Sequence, residues 1–243
     1  MSKVAIVAAL EREVRPLIKS WRISENGRDG RKFRFFEHED VVLVCGGIGA
    51  AAARRAAEAV IAIYAPAVIY SAGFAGALDP ALKVGDIVQP QRVVNASDGS
   101  SVILDAGEGV LVTFASIADA KQKAKLRDSF SARAVDMEAS AVARAAEARG
   151  IGFAVVKVIS DESDFFFPSM EQFIDAQGRF SEGRFAAFAA IRPWLWPGMY
   201  RLARNSSRAS RALCEHLGKL NLGKLNMSQN SASRSSLEAV NRS

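Results

Sequence analysis

Short apolar runs alternate along the chain with alanine-rich segments of helical composition. Lys3 to Ala9 reads as a first buried strand, Val41 to Cys45 as another, and Ala67 to Tyr70 and Val110 to Phe114 as further strands. Gly152 to Ser160 is rich in β-branched residues with one charge, which fits a strand covered on both faces. Arg31 to His38 alternates weakly, like an exposed strand, after a turn marked by Gly27 to Gly30, and Lys83 to Val88 restarts a strand. Helical stretches follow Glu11, span Ala50 to about Tyr64, Ser116 to Phe130 and Arg179 to Ile191, and lead up to Gly150, a natural stop. Pro16 is tolerable only near a helix start. Asn95 to Gly107 is polar and turn-rich. Strands alternating with helices predict an α/β sandwich.

Within this pattern the segment from Arg133 to Asp161 concentrates candidate chemistry. It reads as a turn carrying Glu138, a helix, and a buried strand with Asp161 at its carboxyl end. Ligands of open α/β sheets bind beyond the carboxyl ends of the strands, so two acids meet at one candidate crevice. The plainer reading has Glu138 capping a helix and Asp161 starting a loop. Glu11 and Glu13 follow the first strand at once, where acids suit the positive end of a helix dipole. Gly47-x-Gly49-x-x-Ala52 superficially matches a dinucleotide fingerprint, but Ala65 to Phe74 contains no acid to complete it. A close strand-to-helix turn is the better reading. The glycine-rich stretch Ser71 to Leu78 reads as a loop whose N–H groups approach a ligand, or as a plain turn.

Composition narrows the class. The chain has 243 residues and nearly half of them are apolar, enough for one domain with a sizeable core plus a tail. The expected division is a single domain over 1–225, with a basic amphipathic segment at 192–225 and a disordered Ser/Asn-rich tail at 226–243. No apolar run reaches the ~18 residues of a spanning helix, and the N-terminus lacks a signal-peptide pattern, so a cytoplasmic protein is expected. Cys45 and Cys214 lie far apart, and His38 and His216 fit no ligand spacing, so neither a disulfide framework nor a metal is expected. The net charge of +6 gathers C-terminally, where seven Arg and Lys residues between Arg192 and Lys224 face Glu215 alone. Such a face suits an anionic partner, nucleic acid or lipid headgroups, or is a solvated helix face. Trp194 and Trp196 beside it either close the core or meet a membrane surface.

Ordered motifs then carry a resemblance: Ala-Leu-Glu-x-Glu-Val, Gly-Ile-Gly-Ala, Ala-Gly-Phe-Ala-Gly-Ala-Leu, Leu-Lys-Val-Gly-Asp-Ile-Val, Val-Asp-Met-Glu-Ala-Ser and Val-Ile-Ser-Asp. Between Val4 and Asp161 the chain resembles the nucleoside phosphorylase/nucleosidase superfamily, in its methylthioadenosine/S-adenosylhomocysteine nucleosidase branch. Phe-Phe-Pro, Arg-Pro-Trp-Leu-Trp-Pro and Leu-Ala-Arg-Asn-Ser look more like a hopanoid-associated subgroup. The resemblance implies a three-layer α/β sandwich with a mixed, mostly parallel central sheet. It implies an enzyme that cleaves the N-glycosidic bond of a 5′-substituted adenosine, adenosylhopane in that subgroup, and releases adenine. No cofactor is implied, phosphate being the alternative co-substrate to water. The implied partners are a small nucleoside, lipid-linked in that subgroup, and further copies of the chain, not nucleic acid.

By the same resemblance Asp161 protonates N7 of the purine, Ser160 orients it, and Glu13 activates water. Glu138 binds the ribose hydroxyls and Met137 packs on the sugar. The base stacks near Ser116 and Ile117, and Phe74, Gly73 and Lys157 border the sugar and the nucleophile. Two positions depart from the hydrolase pattern, which expects serine at Gly73 and arginine at Lys157. Lysine keeps the charge without the bidentate fork. Glu13 would repel phosphate, whereas Arg12, Arg15 and Lys157 would attract it, so the nucleophile stays open between water and phosphate.

Overall fold

The structure is a computed structural model that describes residues 3–28, 30–165, 171–175 and 177–220. Its centre is β1 (Val4–Ala8), whose alternate residues supply both cores. Val4, Ile6 and Ala8 face one side, and Ala5 and Val7 the other. Such two-sided burial is what a continuous apolar run requires. β1 pairs in parallel with β4 (Val41–Cys45) and with β5 (Val68–Ala77), and β5 pairs in parallel with β11 (Gly152–Asp161). A hairpin of β2 (Arg22–Arg28) and β3 (Arg31–His38) extends one edge antiparallel to β4. β10 (Ala134–Asp136), β9 (Val110–Thr113), β7 (Arg92–Asn95) and β8 (Ser101–Ile103) extend the other, and β6 (Ile87–Val88) pairs β11.

Helices cover both faces. On one side lie α1 (Glu11–Ile18) and the long C-terminal α6 (Trp196–Lys219), packing Val14, Ile18, Ala209, Leu213 and Leu217 onto Ile6, Leu43, Val156 and Val158. On the other lie α2 (Ala50–Tyr64) and α4 (Ala139–Glu147), which bring Ala53, Ala56, Val60, Val142 and Ala146 against Val42, Val44 and Ile69. Alanine at those positions lets helix and sheet approach closely. α3 (Ala120–Phe130) seats Leu126 over Val112 and Val135. α5 (Glu182–Ala190) carries Phe185 and Phe188, which meet Phe173 edge-on. The result is a three-layer α/β sandwich with a mixed sheet. Its centre is parallel, while its edge hairpins and the β5–β10 and β6–β11 ladders are antiparallel.

Several elements differ from expectation. β5 does not end at Tyr70 but runs ten residues through the glycine-rich stretch. β1 and β11 flank it and β10 takes over at Gly76 and Ala77, so pairing keeps the backbone extended despite weak β-formers. The residues before Glu138 form a short strand rather than a turn, β8 falls within the polar stretch Asn95 to Gly107, and β2 and β7 lie where no strand is expected. The edge strands β2 and β8 carry no apolar run to reveal them.

Pro16 sits in the second turn of α1. It removes the amide that would have bonded the Arg12 carbonyl, and the Ser210 hydroxyl of α6 donates to that carbonyl instead, at 3.2 Å. The amphipathic C-terminal stretch turns its apolar stripe inward: Ala209, Leu213 and Leu217 are buried against α1 and the sheet. Trp194 and Trp196 do not close the core, being 72% and 55% exposed. Phe165 is buried, whereas Phe166, Phe167 and the tail from 221 lie outside the described residues.

Candidate active site

The carboxyl ends of β1, β5, β10 and β11 open into a cavity of about 190 Å³. Glu13, Phe74, Ser116, Ile117, Met137, Glu138, Ser160 and Asp161 line it, joined by Leu202 and Ser206 from α6. Eight of the ten residues named by the sequence thus border one space. The other two lie just behind it. A larger hollow of about 660 Å³ between α2 and α4 contains none of the three acids Glu13, Glu138 and Asp161.

Glu138 occupies the N-cap position of α4, but its side chain does not cap that helix. Its Oε1 accepts the Gly49 amide at 2.8 Å, at the start of α2, and its Oε2 accepts the Met137 amide at 3.3 Å. The Gly46–Gly49 turn therefore serves a carboxylate rather than a dinucleotide, and the N-terminus of α2 favours the negative charge there. Asp136 does the capping of α4: its Oδ2 accepts the Ala139 amide at 2.8 Å. Burial raises the Glu138 pKa, the Asp136 charge adds to the rise, and Lys157 opposes it.

Glu13 is 5% exposed, and its Oε2 has no hydrogen-bond partner among the described residues. Burial, reinforced by Glu138 and opposed by Lys157 and Arg12, pushes its pKa up to about 7. A surface acid at a helix dipole would not be held this way; its neighbour Glu11, exposed and paired with Arg34 at 2.8 Å, fits that description. Gly73 makes the arrangement possible. A Cβ there would lie 2.8 Å from Glu13 Oε2, and φ is +149°.

Lys157 lies beneath the cavity rather than in it. Its side chain is 2% exposed and its Nζ meets Asp136 Oδ2 at 2.8 Å. Asp136 also accepts the Thr113 hydroxyl at 2.7 Å. Burial pushes the Lys157 pKa down, but Asp136, Glu138 and Glu13 outweigh it and the net shift is upward. One buried ammonium thus stands among three acids, a surplus of negative charge suited to a ligand that becomes cationic.

Asp161 ends β11 at a register shift against β5 between Ile159 and Asp161. The irregularity brings the consecutive side chains of Ser160 and Asp161 to one cavity. Asp161 Oδ1 accepts the Ser160 hydroxyl at 2.7 Å, and Oδ2 accepts Lys123 Nζ at 2.5 Å. Nothing in the spacing of Lys123 distinguishes it in sequence from Lys121 or Lys125. Asp136 carries no sequence signal of its own beyond its place in the Val-Asp-Met-Glu motif. Phe165 is a packed residue with the Arg201 guanidinium 4.8 Å from its ring centre, and Arg201 pairs with Glu162 at 2.7 Å. Among the described residues no cluster of three or more His, Cys, Asp or Glu side chains could hold a metal.

A family model described as the phosphorylase superfamily matches residues 3–108 and 106–189. A 5′-methylthioadenosine/S-adenosylhomocysteine nucleosidase of Marinomonas sp. (strain MWYL1) is 30% identical over 200 residues, covering 66% of this chain and 86% of that protein. An aminodeoxyfutalosine nucleosidase of Campylobacter jejuni is 23% identical, over 67% of this chain and 87% of its own length. In fold, the apo structure of a 5′-methylthioadenosine nucleosidase from Arabidopsis thaliana superposes with a TM-score of 0.67 at 20% identity, covering 90% of this chain and 94% of that one. The matched segments take in the whole central sheet and every acid of the cavity, and on that ground this chain belongs to the phosphorylase superfamily.

Proposed function

We propose that the protein is a nucleosidase that hydrolyses the N-glycosidic bond of a 5′-substituted adenosine and releases adenine. One observation carries the choice of water: Glu13, with an unpartnered buried oxygen and a pKa near 7, shares the cavity with Glu138 and Asp161. A base poised near neutral pH takes a proton from water most effectively. A phosphate anion would instead have to enter beside three acids, two of them buried. Two of the nearby cations are committed, Lys157 to Asp136 and Lys123 to Asp161, and the guanidinium of Arg12, which also lines the cavity, lies 4.9 Å from the Phe180 ring centre.

Each residue then has a role. Asp161, oriented by Ser160, supplies the proton at N7 that makes adenine a competent leaving group. As the C1′–N9 bond stretches, positive charge grows on the ribose, and the Glu138 carboxylate accepts the ribose hydroxyls and stabilises that charge. Met137 covers the sugar, while Ile117 and Phe74 wall the base and ribose. Glu13 removes a proton from water as its oxygen bonds to C1′. Gly73 leaves room for Glu13, and Lys157 tempers the acids without touching the substrate. Adenine release followed with and without phosphate tests the nucleophile; strict phosphate dependence sinks hydrolysis. Asp161→Asn tests the acid, with adenine release expected to fall at least ~100-fold.

The 5′-group belongs at the α6 end of the cavity, where Leu202 and Ser206 line it. A lipid-linked adenosine fits a second feature of the same helix. Ile191, Trp194, Trp196 and Tyr200 are exposed near its start, beside Arg192, Arg204, Arg208 and Arg211. Exposed indoles with arginines suit a peripheral contact with anionic headgroups. The function accordingly includes a single catalytic domain over 1–225 in a homo-oligomer, for which sizing by light scattering is the direct check.

A further inference from the structure

Both oxygens of Asp161 accept hydrogen bonds from the protein, Oδ1 from the Ser160 hydroxyl and Oδ2 from the Lys123 ammonium, so a proton bound for N7 has a donor directly behind the carboxyl group. Lys123 is 3% exposed and its three N–H bonds are all directed: to Asp161 Oδ2 at 2.5 Å, to the Glu162 carbonyl at 2.7 Å and to the Phe165 carbonyl at 3.2 Å. The first turn of α3 that carries it is fixed by a reciprocal cap, with Asp119 and Gln122 each accepting the other's amide at 2.8 Å. The sheet makes room for the pair at Gly76, where a Cβ would lie 2.9 Å from Asp161 Oδ2 and 3.3 Å from Lys123 Cε. A helix, a loop and a glycine in the central strand thus converge on one buried ammonium against the carboxylate that faces the purine.

We infer that Lys123 is the proton source behind Asp161, a positioning residue that acts on the purine only through that carboxyl group; the inference rests on the nucleosidase reading above. The ammonium passes one proton to the Asp161 carboxylate at Oδ2, and the carboxyl group so formed hands that proton on to N7. The C1′–N9 bond breaks with its electron pair retained by the purine, which leaves as neutral adenine. Water adds to C1′ and its proton goes to Glu13. The amine that remains on Lys123 keeps two N–H bonds for its two carbonyl partners, so the exchange leaves no buried donor stranded. Solvent returns the proton to Lys123 and receives that of Glu13 once the products have left. A lysine fits this task and an arginine does not, because a guanidinium keeps its proton in proteins.

The test measures adenine release from 5′-methylthioadenosine, or from whichever 5′-substituted adenosine of a small panel the wild type cleaves. Lys123→Met and Lys123→Arg are each expected to lower kcat by about 100-fold or more, with KM within about threefold. Recovery to within threefold of wild type by Lys123→Arg overturns proton delivery in favour of charge alone, and wild-type turnover in Lys123→Met overturns any need for the residue. Where Lys123→Arg does not fold, Lys123→Gln takes its place: recovery to within threefold of wild type by that side chain, which carries no transferable proton, overturns the inference. Asp161→Asn runs alongside. If it still releases adenine at the wild-type rate, the assignment of Asp161 as the acid has failed; if the wild type releases none from any member of the panel, the nucleosidase reading has failed. If Asp161→Asn does not release adenine while Lys123→Met does, only the proton source has.

Discussion

Glu13 shows what a single residue gains from its surroundings. In sequence it is one of two acids after a strand; in the fold its carboxyl is buried, its Oε2 has no hydrogen-bond partner among the described residues, and its pKa is pushed up to about 7. Two consequences follow at this scale. Activity should rise through about pH 7 as Glu13 ionises, and Glu13→Gln should cost roughly 10²–10⁴ in kcat and remove that rise, read by adenine release across pH. Stability runs the other way. The folded group keeps its proton up to about pH 7, whereas the unfolded one loses it near 4.5. The raised pKa therefore contributes stability that is full below about 4.5 and is lost as pH climbs to 7. Glu13→Gln should be more stable than wild type at pH ~8, by roughly 3 kcal/mol at most, with the gap closing toward pH ~4.5. Urea titrations at the two pH values decide it.

At the scale of elements, the site depends on strands and helices that brace one another. β5 holds Gly73 against Glu13 and Gly76 against Asp161. Gly73→Ala should displace the Glu13 carboxylate and strain the backbone, lowering kcat more than tenfold and stability by about 1–3 kcal/mol. A normal kcat in that variant would mean that Glu13 has room to spare. α1, which carries Glu13, is itself held by α6 through the Ser210 hydroxyl on the Arg12 carbonyl. Ser210→Ala should cost about 1 kcal/mol, because Pro16 leaves that carbonyl without its helical donor. In a Pro16→Ala background the amide at position 16 is restored and the Ser210→Ala cost should shrink. A double-mutant cycle by denaturant unfolding measures the coupling.

For the whole molecule, α6 joins three features in one helix. Its inner stripe closes the core, Leu202 and Ser206 border the cavity, and the exposed aromatic and basic residues gather at its N-terminal half. If that outer face meets a membrane, the protein should sediment with vesicles containing phosphatidylserine but not with neutral ones. The retention should fall with salt and weaken several-fold in Trp194→Ala/Trp196→Ala. Equal partition onto neutral vesicles, or none onto either kind, would dismiss the contact. No helix among the described residues is long and apolar enough to cross a membrane, so any such contact by these helices would be peripheral.

The sequence by itself determined the alternation of strands and helices, since buried strands need continuous apolar runs and covering helices need a small-residue face. It pointed to Glu138 and Asp161 as acids at the ends where sheets bind ligands, whereas Glu13 stood level with Glu11 as a helix-dipole acid and was singled out only by the family resemblance. The tertiary structure decided how those acids are used. Glu138 could have capped its helix, but only the fold brings the Gly49 amide to it and gives the cap to Asp136. Lys157 was visible as a lone charge in a strand, and burial beside Asp136 makes it a counter-ion instead of a ligand. Lys123 was invisible, because a lysine on a charged helix looks like every other until its helix is docked. Its partner lies 38 residues away in the chain, and electrostatics acts through space, where distance is set by packing and not by sequence.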